Sequence, residues 1–393
     1  MLNKPKRIKL FIEASAIIEP TMSGIGHNIV STLNSLVLDN NITRYYEIIL
    51  LVPRGTLSEL DRWKFPDTIR AKQIKLEKHL FQIIFKYGFL PPMDIFYGKG
   101  IYLFPNYKNW PLLFSKSITY IYDVAFAIYP DTIQPKNLKM LEHKVPKWIK
   151  RTDLVITISQ NSKKEIIKYL KVPKNKISVV YCGVDDKEYF KSKTPAIEQI
   201  KSKYKIKNKY ILFVGNIEPR KNIQRLLEAY CLLSSDIRNE YSLVLIGGGG
   251  WLNEDILANI KSLKIEGYNI IHPEEYVLDS ELPGLYSGAS LLTFPSIYEG
   301  FGIPPLEAMA CGVPVAISNV SSLPEVVGDA GIYFNPFDVK SISRVMEKAL
   351  LDKILRKKLI NEGLERYKIF SWDKSANSLG QSINKIAGVI QDA

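Results

Sequence analysis

The sequence predicts an α/β protein made of two successive doubly wound parallel sheets, that is, two Rossmann-like domains. Three observations carry this reading. At 393 residues the chain exceeds what one ordinary hydrophobic core holds. Short apolar runs alternate with segments of helical spacing along most of its length, the pattern of parallel sheets wrapped by helices. The succession strand, glycine turn, helix opens each half, near residue 10 and again near residue 210.

In the first half "RIKLFIEA" reads as a strand, and "GIGHNIVSTLNSLVLD" opens on glycines and continues with helical spacing. "YEIILLV", "SITYIYDV" and "DLVITIS" are further strands. In "SQNSKKEIIKYL", Ser159 or Asn161 can cap a helix whose Ile166, Ile167 and Leu170 share a face. "KISVVYCGV" is another strand. The polar, lysine-rich "KEYFKSKTPAIEQIKSKYKIKNK" then places a boundary near residues 190–208. The second half runs as strand "YILFVG", helix "IQRLLEAYCLL", strand "SLVLIGGGG", helix around 253–264, strand "NIIHP", helix "SELPGLYSGA", strand "SLLTFPS" and strand "VPVAIS".

Composition is that of a soluble globular protein, 46% hydrophobic and 24% charged. No apolar run reaches the ~18 to 20 residues needed to span a bilayer. Glu13 and Glu19 interrupt "KRIKLFIEASAIIEP", which therefore reads as a first strand and not as a leader. Cys182, Cys231 and Cys311 lie far apart and fit a reducing cytoplasm. Charge is uneven. Residues 1–200 hold 31 Lys+Arg against 18 Asp+Glu, a net of +13, whereas residues 201–393 hold 22 against 22. The first half is thus expected to meet a negative partner: anionic lipid, a phosphate-bearing substrate or nucleic acid. "IRAKQIKLEKHLFQIIFKYGFLPP", with a cationic side and the apolar cluster Leu80, Phe81, Ile83, Ile84 and Phe85, reads either as a surface helix suited to anionic lipid or as a buried helix with solvated lysines.

Chemistry is concentrated in "FPSIYEGFGIPPLEAMACGVPV", residues 294–315. Pro304 and Pro305 suit the first turn of a helix. Gly300 and Gly302 allow close backbone approach, so the amides of Phe301, Gly302 and Ile303 can receive a phosphate at a helix N-terminus. Glu299 stands before the bend and Glu307 is expected on the first turn, both toward one ligand. A phosphate-cradling turn between two acids points to holding sugar hydroxyls and not to hydrolysis. In "FVGNIEPRKNIQRLLEAY", Gly215 and Asn216 end a strand, and Arg220 and Lys221 precede a helix at the carboxyl edge of the sheet, where a diphosphate would meet a guanidinium and an ammonium. No acidic metal cage lies nearby, so cations in place of a metal are expected to neutralise the leaving group.

"EGFGIPPLEA" resembles the E-x7-E motif of retaining glycosyltransferases of the family-four group. "GNIEPRKN", "LYSGASLLTFPS", "MACGVPVAISNVSSLPEVVGDAGIYFNP" and "FSWDKSA" resemble that group in order and spacing. The resemblance implies a GT-B fold: an N-terminal acceptor domain over 1–195, completed by a C-terminal helix within 371–393, and a nucleotide-sugar domain over 196–370 facing it across a cleft. It implies that Glu299 binds donor hexose hydroxyls, Glu307 the ribose, and Arg220 and Lys221 the diphosphate with the amides of Phe301 and Gly302. Tyr276 and Val277 would contact the base, and Gly24 and Gly26 would form a glycine loop reaching into the cleft. Where many relatives carry His-Asp, this chain has Tyr122-Asp123, so either Tyr122 or His27 is the alternative partner for substrate hydroxyls. The expected reaction is metal-independent, retaining transfer without an enzyme nucleophile or cofactor.

Taken together the motifs look most like bacterial α-mannosyltransferases of O-antigen and capsule assembly. This implies a nucleotide-sugar donor, GDP-mannose first, a lipid-linked saccharide acceptor, and a cytoplasmic enzyme peripheral on an anionic membrane face. Alternatives are a rhamnosyl- or UDP-sugar transferase and a nucleotide-sugar 2-epimerase. Nucleic acid is not an expected partner, since no recognition motif accompanies the charge.

Overall fold

The computed structural model describes residues 7–19, 24–77 and 91–389, together with Ile83. Packing divides the chain into two units. One comprises Met1–Ala127, Pro135–Gly183 and Trp372–Ala393; the other comprises Ile128–Gln134 and Val184–Ser371.

The first unit is built on a seven-stranded parallel sheet. Its strands are β1 (Ile8–Glu13), β2 (Tyr46–Arg54), β3 (Ile69–Glu77), β4 (Ile101–Phe104), β5 (Lys116–Tyr120), β6 (Leu154–Thr157) and β7 (Ile177–Val179), in the order β3-β2-β1-β4-β5-β6-β7. Chain order reverses between β1 and β4. The central strands are apolar on both faces, as expected where helices cover each side: Leu10, Phe11 and Ile12 are buried, as are Ile48 to Val52. The helix Gly24–Leu36 seals one face with Ile29, Leu33 and Leu36, and the C-terminal helix Trp372–Ala387 packs beside it. That last helix is tied to the sheet where Tyr46 donates its hydroxyl to Asn384 Oδ1 at 2.7 Å.

The expected helix over 69–92 is corrected in its first part. Residues 69–77 form edge strand β3, whose Arg70, Lys72 and Lys75 are exposed. Charged side chains on an edge block further strand pairing, so these cations follow an edge-strand pattern. Of the apolar cluster, Leu80, Phe81, Ile84 and Phe85 lie outside the described residues, and Ile83 is exposed.

The second unit carries a six-stranded parallel sheet: β8 (Lys209–Val214), β9 (Tyr241–Ile246), β10 (Ile270–Ile271), β11 (Leu291–Phe294), β12 (Val315–Ser318) and β13 (Gly331–Phe334), in the order β10-β9-β8-β11-β12-β13. The helix Ile223–Cys231 buries Ile223, Leu226, Leu227 and Tyr230, the i, i+3, i+4, i+7 set that one helical face predicts. Chain order reverses between β8 and β11. In an open parallel sheet that reversal splits the connecting loops apart and leaves a crevice at the strands' carboxyl ends. Among the described residues no helix is long and apolar enough to cross a membrane, and no group of side chains is arranged to hold a metal ion.

Candidate functional site

The loops that leave β8 and β11 adjoin at this reversal. After β8 the chain passes through Gly215 and exposed Asn216 into a 3-10 turn, Pro219–Lys221, and then the helix Ile223–Cys231. Gly247, after β9, packs so closely that a Cβ there would lie 2.0 Å from the Gly215 carbonyl oxygen. After β11 the chain runs through Pro295–Gly302 into the helix Ile303–Ala310. Two links stitch the loops together. Ile297 N donates to Arg220 O at 3.0 Å. The buried Asn222, held in the left-handed region at φ 60°, donates from Nδ2 to Pro295 O at 3.0 Å and Pro336 O at 2.7 Å.

Stitching places two cations against one acid. Lys221 Nζ donates to Glu299 Oε1 at 2.6 Å, and Arg220 donates from one terminal nitrogen to Glu299 Oε2 at 3.1 Å and Tyr298 O at 2.9 Å. The other terminal nitrogen reaches Glu218 Oε1 at 2.9 Å, so two carboxylates fix the guanidinium plane. Glu299 is only 7% exposed. Burial alone would raise its pKa, but Lys221 and Arg220 outweigh it and bring the carboxyl down to about 2. Glu299 is therefore ionised at neutral pH and can only accept hydrogen bonds.

The glycine bend is held from behind. Ser322 Oγ donates to the carbonyls of Glu299 and Phe301, both at 2.8 Å, and Ser321 Oγ accepts from Glu299 N at 3.0 Å. In a trans peptide the carbonyl and the next N–H point oppositely. Pinning those carbonyls to Ser322 thus aims the N–H groups of Gly300 and Gly302 the other way. Gly302 sits at φ 110° as the N-cap of the helix Ile303–Ala310, with Pro304 and Pro305 in its first turn. The prolines delete two of the four N–H groups that a helix start leaves without an intrahelical acceptor, so the donors are concentrated at Gly302 and Ile303. Phe301 is buried, its ring edge-on to Phe370 at 5.5 Å.

Glu307 is corrected in position. It was expected on the first turn, but the helix begins at Ile303, which puts Glu307 one turn further in. Tyr286 donates its hydroxyl to Glu307 Oε2 at 2.6 Å, and Tyr189 also bonds the carboxyl. Burial dominates here and pushes the Glu307 pKa up to about 7, with Glu188 and Asp279 adding in the same direction. One acid pushed down and one pushed up is also the signature of a hydrolase's nucleophile and proton donor. Both oxygens of Glu299 are engaged by cations, however, which makes it a poor nucleophile and a firm acceptor.

Tyr276 is 64% exposed and Val277 half-buried, in the segment that follows β10. In the first unit Gly24 and Gly26, expected in a loop, form the first turn of the helix Gly24–Leu36, and half-buried His27 follows them. The apolar spacing after them carries the helix back through the glycines. Tyr122 is 6% exposed and donates its hydroxyl to Pro105 O at 3.0 Å, a core position that turns the hydroxyl away from solvent. Asp123 Oδ1 accepts from Tyr107 Oη at 3.2 Å and Ala125 N at 3.0 Å.

Sequence reasoning missed Glu218, Asn222, Tyr286, Ser321 and Ser322. Each lies inside a stretch quoted above for its resemblance, so the signal was present as motif membership. Their contacts are long-range and were not.

The family described as glycosyl transferases group 1 matches residues 196–366, and glycosyltransferase family 4 matches residues 121–188. The chain is 36% identical over 291 residues to O-antigen chain mannosyltransferase B of Escherichia coli, covering 73% of this chain and 74% of that one. It is 36% identical over 231 residues to serotype-specific mannosyltransferase WbdA of Escherichia coli, covering 58% of this chain but 28% of that longer protein. In structure it is similar to Anabaena Alr3699/HepE, solved in complex with UDP and glucose, with a TM-score of 0.73 at 15% identity over 96% of this chain and 100% of that one.

Proposed function

The chain belongs to the glycosyl transferases of group 1 and has the GT-B fold, and from that premise we propose that it transfers mannose from GDP-mannose to a lipid-linked saccharide in O-antigen or capsule assembly. The relatives named above as O-antigen and serotype-specific mannosyltransferases support the sugar and the acceptor class. The observation that carries the site is Glu299, kept ionised between Arg220 and Lys221 where the β8 and β11 loops meet.

The donor diphosphate lies against Arg220, Lys221 and the N–H groups of Gly302 and Ile303, which also favour it through the helix dipole. Glu299 accepts from hexose hydroxyls and fixes the ring; Glu307, steadied by Tyr286, accepts from the ribose. Tyr276 and Val277 flank the base. The bond from the anomeric carbon to the diphosphate oxygen breaks with its electrons going to the diphosphate. The acceptor oxygen bonds to the same face of that carbon, and its proton passes to the departing phosphate oxygen. Negative charge grows on the diphosphate as this happens, and prearranged donors there typically contribute roughly 3 to 4 kcal/mol each. No metal is required in this scheme. The basic first half of the chain faces an acceptor carried at an anionic membrane surface.

Incubating the protein with GDP-mannose and a lipid-linked saccharide, followed by NMR of the product, tests the proposal. An α-linked mannosyl product is expected. A β-linked product contradicts retention, and turnover only with another nucleotide sugar contradicts the donor.

A further inference from the structure

Four large apolar side chains stand in solvent on the first unit: Ile95 at 58% exposure, Phe96 at 48%, Leu113 at 61% and Phe114 at 64%. They come from two segments, the short helix Asp94–Tyr97 and the loop before β5, and they are brought together on purpose-built scaffolding. Asp94, only 3% exposed, accepts from Leu113 N at 3.0 Å and from Phe114 N at 2.6 Å. Met93 N donates to Pro111 O at 2.9 Å. Behind the patch the same segments are anchored in the core, with Met93 and Trp110 buried and Tyr97 and Leu112 packed against them. Burial would raise the Asp94 carboxyl, but the N–H donors of Leu113, Phe114 and Ser115 outweigh it and hold it below its ordinary range. The buried carboxylate thus ties the two segments together while their apolar side chains stay presented to water.

Cations accompany the patch, in space or close in sequence. Lys75 Nζ lies 6.0 Å from the Phe96 ring centre. Lys99 is exposed, Lys116 opens β5 with a largely exposed side chain paired to Asp153 at 3.0 Å, and Lys9 Nζ reaches to 3.8 Å of the Cβ that a side chain at Gly98 would carry. Apolar side chains with lysines beside them, on a half-chain of net +13, match a surface that is apolar within and anionic outside.

We propose that Ile95, Phe96, Leu113 and Phe114 insert into an anionic lipid surface while Lys9, Lys75, Lys99 and Lys116 meet its headgroups. This rests on the membrane reading above and names a surface among the described residues that would serve it.

Co-sedimentation of the full chain with vesicles tests it, using phosphatidylcholine alone and phosphatidylcholine mixed with phosphatidylglycerol. The wild type is expected to pellet with the anionic vesicles and to be released by salt. Leu113→Ser/Phe114→Ser, and independently Ile95→Ser/Phe96→Ser, are expected to lower partitioning roughly tenfold or more with an unchanged thermal midpoint. Variants that partition like the wild type, or equal wild-type binding to both vesicle types, overturn the assignment of this patch. If the wild type ignores both vesicles yet transfers mannose, the membrane reading itself falls. A wild-type dimer that both variants dissolve, seen by light scattering, overturns lipid as the occupant.

Discussion

Lys221 and Glu299, 78 residues apart in sequence, meet at 2.6 Å with side chains that are 12% and 9% exposed. The contact joins the loop after β8 to the loop after β11, where the strand order reverses. Removing one member of a buried pair costs about 3 to 5 kcal/mol where the other charge is left alone, and less here because Arg220 still meets Glu299 at 3.1 Å. Lys221→Met is therefore expected to lower stability and to reduce transfer by roughly 100-fold or more. Lys221→Met with Glu299→Gln should recover most of the stability and none of the activity. Chemical denaturation alongside transfer rates checks this, and recovered activity in the double variant would remove the pair from the site.

The Glu299 carboxyl also sets the acid limb of stability. Its pKa falls from 4.5 to about 2 on folding. A depressed acid contributes stability that is fully present above its unfolded value and is lost as pH falls through the folded one. The wild type should lose thermal midpoint between pH 4.5 and 2 more steeply than Glu299→Gln. Parallel curves for the two proteins would contradict the shift.

Tyr286 and Glu307 make the opposite case. The carboxyl is raised from 4.5 to about 7, so its protonated form is favoured in the fold and the stability linked to that proton declines as pH rises through 7. Tyr286 donates to the carboxylate and holds the value below what burial alone would give. Tyr286→Phe should therefore move the ionisation upward and shift the pH dependence of donor binding to higher pH. An unmoved profile would separate Glu307 from the ribose.

Gly302 lies at φ 110°, a conformation that costs a non-glycine residue about 1 to 3 kcal/mol. A Cβ there would also meet Leu323 Cδ2 at 2.6 Å. Gly302→Ala is expected to swing the bend and weaken donor binding at least tenfold, while Ser322→Ala, which releases two carbonyls from one hydroxyl, should do so less. Calorimetric titration with the donor separates them; tight binding by Gly302→Ala would show that the amides do not hold the diphosphate.

The two parallel sheets were legible because several interior strands carry long apolar runs, as in "IILLV" of β2 and "YILFV" of β8. Strand β3 was misread because "IRAKQIKLE" has an edge strand's charge and sparse apolar content, which spacing alone does not separate from a surface helix. Strand β4, four residues long, carried too little pattern to register. At the site, Arg220, Lys221 and Glu299 were found as separate motif members, whereas their ion pairs span the strand crossover and belong to topology. Glu307 is expected in the first turn with the prolines, but the helix begins one residue before them, at Ile303, so Glu307 opens the second turn.

Calorimetric titration of GDP-mannose into the wild type and into Lys221→Met tests most directly whether this crevice grips a sugar nucleotide through its diphosphate. Tight binding by the wild type, at least 100-fold weaker binding by the variant, and weaker binding of UDP- and dTDP-sugars are the expected results. Equal affinity in the two proteins would contradict the role given to Lys221, and no binding of any sugar nucleotide to the wild type would contradict the site as a whole.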